Sequence, residues 1–166
     1  MVFDETTLGT ILDILESTKG VKQRKEYHPE EDLFSHLYQC MNWAFRETLD
    51  IELIIAAMLH DVGKKLVIES HNTEHGHERI ASDLLSPIIS PKALWLIENH
   101  MRFWDYIDGS MHKLSKCKDF ANHPFFCFLP QLGRWDKLSR KPNYKIDYDR
   151  QKLIDRFNKV AYDNFK

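Results

Sequence analysis

Chemistry first suggests itself at His60 and Asp61, side by side near the end of the stretch LIIAAMLHDVGK, residues 53–64. From Leu53 to Leu59 no side chain is polar, and apolar residues on nearly every face predict a helix buried all round. An imidazole and a carboxylate are therefore carried into the interior. An unpaired buried carboxylate costs several kcal/mol, so a positive charge must meet Asp61. Lys64 could supply it as an ion pair. A metal ion could supply it too, and would also employ His60. The dipeptide alone leaves both readings open.

The elements that must position this pair can be read in order. Residues 4–17 predict a first amphipathic helix, with Phe3, Leu8, Ile11, Leu12 and Leu15 on one stripe. A charged, irregular stretch leads to His28-Pro29, and Pro29, Glu30 and Glu31 suit the first turn of a second helix over 30–47. His36 sits beside the apolar stripe of that helix. Asp50 is placed to cap the central helix and Gly63 to end it. A loop over 66–72 is expected next, followed by a helix over 74–85 capped by Thr73. Another helix is expected over 91–101, starting at Pro91, and then a mainly irregular stretch over 102–123. Residues 124–140 predict a helix restarting at Pro130, and residues 147–164 a last amphipathic one. No β alternation and no repeat interrupts this series. The expected fold is all-α: one compact domain over residues 1–166, of about six or seven helices.

With 166 residues, 43% of them hydrophobic and 12% aromatic, the chain can bury a full core. A net charge of -2 gives no global attraction to nucleic acid or anionic membrane, so anion recognition must be local. Cys40, Cys117 and Cys127 lack metal-site or disulfide spacing and suit a reducing compartment. The acidic, amphipathic N-terminal stretch is not a signal peptide, and no apolar run is long enough to span a membrane. A cytoplasmic protein is expected.

Nine histidines matter less for their number than for their placement. His36, His60, His77 and His100 fall on different predicted helices, and Asp136 lies on a late one in LGRWDKLS. One such residue per helix is how helical cores assemble metal sites. Each residue alone would more often be a satisfied core group or a cap. Together, His36, the adjacent His60-Asp61 and the distant Asp136 match the H…HD…D signature of the HD superfamily of metal-dependent phosphohydrolases. The contexts HPEEDLFSHL, AAMLHDVGK, HGHERIASDLL, IENH and GRWDKLS resemble the family too. The first two are similar to HD domains of bacterial tRNA nucleotidyltransferases and related stand-alone proteins. The resemblance covers about residues 27–140.

The resemblance implies that His36, His60, Asp61 and Asp136 ligate a divalent metal. His77 and His100 would hold a second metal or the substrate phosphate, with Asp61 as the bridge. Imidazoles with carboxylates suit Mn²⁺, Fe²⁺, Co²⁺, Ni²⁺ or Zn²⁺ better than Mg²⁺ alone, with one or two ions per chain. Asp61 and Lys64 become the catalytic pair, Lys64 offsetting transition-state charge or, alternatively, pairing with Asp61. Arg24, Lys137 and Arg140 are candidate phosphate contacts, although such charges usually form a solvated face. An aromatic among Phe103, Trp104 and Tyr106, expected in the loop after His100, could stack on a base.

The expected activity is hydrolysis of a phosphate monoester or phosphodiester by metal-activated water. The resemblance points to a small phosphorylated substrate, a nucleotide or an RNA end. A nucleoside triphosphohydrolase or pyrophosphohydrolase is the enzymatic alternative, and would need more cations facing the site. A non-catalytic, metal-stabilised regulatory or binding module is the other. The oligomeric state is left open, as is whether the two terminal helices close the core or bind a second protomer.

Overall fold

The central helix begins as expected. In the computed structural model, which describes residues 5–70 and 76–164, α3 runs Ile51–Leu59, and the Asp50 side chain accepts from the Leu53 N–H at 3.2 Å. Every residue from Leu53 to Leu59 is buried. α3 packs against α2 (Leu33–Glu47), α6 (Pro91–Asp108), α8 (Leu129–Leu138) and α9 (Arg150–Asp163). Each fully buried Leu, Ile or Met on it contributes about 1.5–3 kcal/mol. Such an anchor can carry polar groups at its end.

α3 stops at Leu59, and His60 to Val62 form a turn. Gly63 does not end a helix, as the sequence suggested, but begins α4 (Gly63–Ser70). Its glycine is needed for close approach: a Cβ there would lie 1.9 Å from the carbonyl oxygen of His77. α4 therefore lies against α5 (His77–Leu85), which in turn lies against α6. Thr73, expected to cap α5, lies outside the described residues; Gly76 occupies the N-cap position.

The helices number more than the six or seven expected. Nine α-helices and a 3-10 turn, Phe126–Phe128, occur among the described residues, without a strand. α4 occupies most of the expected loop over 66–72. The expected loop over 102–123 is the continuation of α6 followed by α7 (Leu114–Ala121), with Gly109 in the left-handed conformation (φ 84°) ending α6. The Asp, Ser and Lys residues that suggested a loop form solvent-facing sides, while Phe103 and Phe120 are buried. α8 does restart around Pro130.

α2 also begins later than expected, at Leu33, because Asp32 caps it by accepting from the Ser35 N–H at 3.1 Å. Glu31 takes a positive φ of 58°. The preceding segment folds back as an antiparallel pair: Gln23 N–H donates to the Glu31 carbonyl at 2.7 Å and Leu33 N–H to the Val21 carbonyl at 2.9 Å. The turn at 24–31 is thereby held rigidly beside the end of α3.

α1 (Glu5–Glu16) buries Leu8, Ile11, Leu12 and Leu15, and α9 buries Leu153, Phe157 and Val160, so both terminal helices close the core. A polar clasp joins them. Tyr148 Oη donates to Glu16 at 2.6 Å, while Arg150 meets Glu16 at 3.0 Å and Asp13 at 2.8 Å and donates to the Gly9 carbonyl at 3.0 Å. Among the described residues no helix is long and apolar enough to cross a membrane.

Candidate metal centre

The four residues expected to form the first ligand set meet in one place. His36 comes from the first turn of α2, His60 and Asp61 from the turn after α3, and Asp136 from the last turn of α8. His36 Nε2 lies 3.3 Å from His60 Nε2, 3.2 Å from Asp136 Oδ1 and 3.6 Å from Asp61 Oδ2. His60 Nε2 is 3.5 Å from Asp61 Oδ2 and 3.9 Å from Asp136 Oδ1. All four residues are buried.

The opposite ring nitrogens show which way these imidazoles face. His60 Nδ1 is 3.0 Å from the Ala57 carbonyl, and His36 Nδ1 is 2.9 Å from Glu30 Oε1 and 3.1 Å from the Ser139 carbonyl. Acceptors at Nδ1 hold a proton there, so in the neutral ring each Nε2 lone pair points inward. Two such lone pairs 3.3 Å apart, beside two carboxylates, suit a cation.

His77 and His100 converge on the other oxygen of Asp61. His77 Nε2 is 2.9 Å and His100 Nε2 3.4 Å from Asp61 Oδ1, and the Ile97 carbonyl fixes His100 through Nδ1 at 2.6 Å. Among the described residues, Asp61 Oδ1, His77 Nε2 and His100 Nε2 are each buried without a hydrogen-bond partner. Buried polar atoms are rarely left so. Asp61 thus presents Oδ2 to one histidine pair and Oδ1 to the other, and the donor set fits two divalent ions sharing one carboxylate.

Charge in the cluster follows from burial and contact. Burial alone would lower the His36 pKa, but hydrogen bonds to Asp136 and Glu30 and the charge of Asp61 raise it to about 9. Burial opposes ionisation of Asp61, yet the charges of Lys64 and His60 hold its carboxyl well below the usual range. Burial likewise opposes ionisation of Asp136, and its contacts with His36 and His60 hold it ionised. A proton and a metal ion would therefore compete for His36 Nε2.

Lys64 is paired with Asp61. Its Nζ lies 2.6 Å from Asp61 Oδ2, and 3.1 Å each from Gln23 Oε1 and His28 Nε2. The same ammonium lines a cavity of about 750 Å³ whose floor includes Asp61, His77, His100 and Asp136. Arg24 and Arg140 line it as well. Arg140 is already engaged, with one nitrogen 3.3 Å from Asp136 Oδ1 and another donating to the Tyr27 carbonyl at 3.1 Å. Lys137 does not line the cavity; its Nζ sits 4.1 Å from the ring centre of Trp104, a wall residue. Phe103, Trp104 and Tyr106 lie on α6 rather than in a loop, and of the three only Trp104 faces the cavity.

Four residues at the site were not found by sequence reasoning. Glu30, read as part of a helical first turn, is a buried carboxylate whose Oε1 lies 2.9 Å from both His28 Nδ1 and His36 Nδ1. Those contacts overcome the effect of burial and lower its pKa to about 2. His28, Gln23 and Lys22 line the cavity beside it. The signal available was the HPEED string itself, with a histidine and an acid two residues apart before a ligand histidine.

Over 82 residues the chain is 35% identical to a multifunctional CCA protein of Paraburkholderia phytofirmans and 34% identical to that of Burkholderia multivorans. The match takes in 49% of this chain and 20% of each relative, so the chain spans about a fifth of the length of these proteins. The HD domain model matches residues 33–155, which hold all six histidine and aspartate residues of the centre. By that match, the chain belongs to the HD domain family.

Proposed function

We propose that this chain is a divalent-metal-dependent phosphohydrolase acting on a phosphate monoester or phosphodiester of a nucleotide or an RNA end. The observation that carries the reading is Asp61, whose two oxygens face two separate histidine pairs at 2.9–3.6 Å. His36, His60, Asp61 and Asp136 would hold one ion, and Asp61, His77 and His100 a second. Ions held there would supply Lewis acidity and acidify a bound water toward neutral pH. Mixed nitrogen and oxygen donors favour Mn²⁺, Fe²⁺, Co²⁺, Ni²⁺ or Zn²⁺ over Mg²⁺ alone.

The chain's own residues do the remaining work. Lys64 places a positive charge beside Asp61, where negative charge on the phosphoryl oxygens would otherwise be repelled. Arg24 and Arg140 stand on the cavity wall for non-bridging oxygens. Trp104 lies one helical turn beyond His100 on the same side of α6, an apolar face on which a base could stack at about 1–3 kcal/mol. The kinship with CCA proteins supports an RNA end as one form of substrate.

A second reading gains from Lys22. With Arg24, Lys64 and Arg140 it makes four cations around one cavity, which suits a nucleoside triphosphate. One experiment tests both. Metal content is measured on the purified protein, then hydrolysis of chromogenic mono- and diesters, nucleoside mono- and triphosphates and a short RNA is followed after chelation and re-addition of each metal. Bound transition metal with metal-restored turnover is expected, and the preferred substrate chooses between the readings. A folded protein that binds no transition metal and hydrolyses none of these would leave only a binding module.

A further inference from the structure

We infer that Glu30 is the positioning residue of the metal centre, holding the ligand His36 directly and the catalytic Lys64 through His28. The inference rests on the metal-dependent reading above. Glu30 has no exposed side-chain surface; its Oε1 accepts from His28 Nδ1 at 2.9 Å and lies 2.9 Å from His36 Nδ1, which also faces the Ser139 carbonyl at 3.1 Å. His28 has Nε2 as its remaining ring nitrogen, which lies 3.1 Å from Lys64 Nζ and accepts from it. Lys64 then reaches Asp61 Oδ2 at 2.6 Å. His36 reaches Asp61 Oδ2 from the opposite direction at 3.6 Å. Glu30, His36, Asp61, Lys64 and His28 thus form a closed ring of contacts.

Each link fixes a choice that its neighbour would otherwise leave open. An imidazole is a metal ligand at Nε2 only if its proton sits on Nδ1, and a carboxylate at Nδ1 sets that tautomer and raises the basicity of the ligand. The same oxygen sets the same tautomer in His28, leaving an acceptor for the flexible lysine. Gln23 supplies a second acceptor for that ammonium at 3.1 Å. The antiparallel pairing at 21–23 and 31–33 holds the turn that carries all three residues. His28, Glu30 and His36 are also close enough together to suggest an ion. Both Nδ1 atoms face that one oxygen, however, and the protons they hold leave no ring lone pair there for a cation, although among the described residues Glu30 Oε2 is buried without a hydrogen-bond partner.

The test compares Mn²⁺ titration of the chelator-stripped full chain with steady-state hydrolysis of a chromogenic phosphate ester. Glu30→Met keeps the volume and removes the acceptor; it is expected to weaken Mn²⁺ binding about tenfold to a hundredfold, the usual loss for an outer-shell partner. Glu30→Gln restores an acceptor oxygen and recovers most of that loss. His28→Ala, on the cavity wall, leaves Mn²⁺ affinity within about twofold while kcat falls and KM is little changed, a split that general loosening of the fold would not give. Glu30→Met binding Mn²⁺ like the wild type, Glu30→Gln as impaired as Glu30→Met, or His28→Ala with wild-type kcat would each overturn the inference. Should Glu30→Met not fold, His28→Ala decides. A wild-type chain that binds no Mn²⁺ fails the metal-dependent reading itself; normal binding and turnover in both wild type and variants fails this inference alone.

Discussion

On the Oδ2 side of Asp61, His36 and Asp136 come from α2 and α8, which pack on each other and on α3, the helix that His60 follows. Both imidazoles there are fully enclosed, and each has an oxygen at Nδ1 within 3.1 Å. On the Oδ1 side, His77 is the first residue of α5, its side chain 18% exposed, and among the described residues its Nδ1 has Glu78 at 3.5 Å as partner. His100 is backed there by the Ile97 carbonyl. One half of the centre is preorganised by the core; the other depends on a helix start. Ligands already held in place cost less to bring together, so the Oδ2 side is expected to bind its ion more tightly and the Oδ1 side to lose its ion first.

Removing the shared carboxylate should erase that difference. Asp61→Ala is expected to abolish binding at both sides and to lower hydrolysis by more than the hundredfold or so that an outer-shell loss costs. Metal analysis of the folded variant checks this, and retention of one tight ion would show that the halves are independent. The histidines should then separate the halves. His77→Ala is expected to keep one tight ion and lose the weaker one, while His60→Ala loses the tight one, each read as stoichiometry in a Mn²⁺ titration. Equal losses in the two variants would remove the asymmetry.

Acidity sharpens the comparison further. Because His36 holds its proton up to about pH 9, Mn²⁺ affinity on the Oδ2 side should climb by up to about tenfold per pH unit through neutrality and level off near that pH. The raised pKa has the opposite effect on the metal-free chain. The stability it contributes is fully present below about pH 6.5 and is lost as the pH rises through the folded value. The gain in Tm on adding Mn²⁺ should therefore widen with pH, and a flat gain would show that His36 is not the competing group.

The smallest effect should come from Gly63. A methyl group there must push the start of α5 away, since it would otherwise lie 1.9 Å from the His77 carbonyl oxygen. Overpacking of this kind costs about 1–3 kcal/mol. Gly63→Ala should lower Tm by several degrees and weaken the second ion while sparing the first. Unchanged binding of both ions would show that His77 is free to follow the displaced helix.

What could be read in the sequence was mostly what local chemistry decides. Asp50 caps α3 as its position foretold, and the apolar run after it is buried throughout. His36, His60, Asp61 and Asp136 could be grouped because one ligand per helix is a pattern that survives ignorance of packing. Glu30 and His28 could not, since their partners lie across a folded-back turn that no periodicity announces. The polar stretch after His100 hid a helix because its buried residues are Phe103 and Phe120, with Trp104, Tyr106 and Met111 only partly buried against the core, too few to outweigh the charged residues around them. Gly63 was misread for the opposite reason. Glycine after an apolar helix ordinarily ends it, and only the neighbouring α5 reveals that the missing side chain matters more than the backbone freedom.

The clasp between the terminal helices bears on how the chain reaches this state. Tyr148 and Glu16 are 132 residues apart in sequence, and Arg150 and Gly9 are 141 apart. Closing loops of that length costs entropy that no local contact repays in advance. α1 therefore waits on residues that are synthesised long after it, holding Leu8, Ile11, Leu12 and Leu15 ready but only partly covered by α2. During synthesis this apolar stripe is the part of the chain most in need of shelter from premature association.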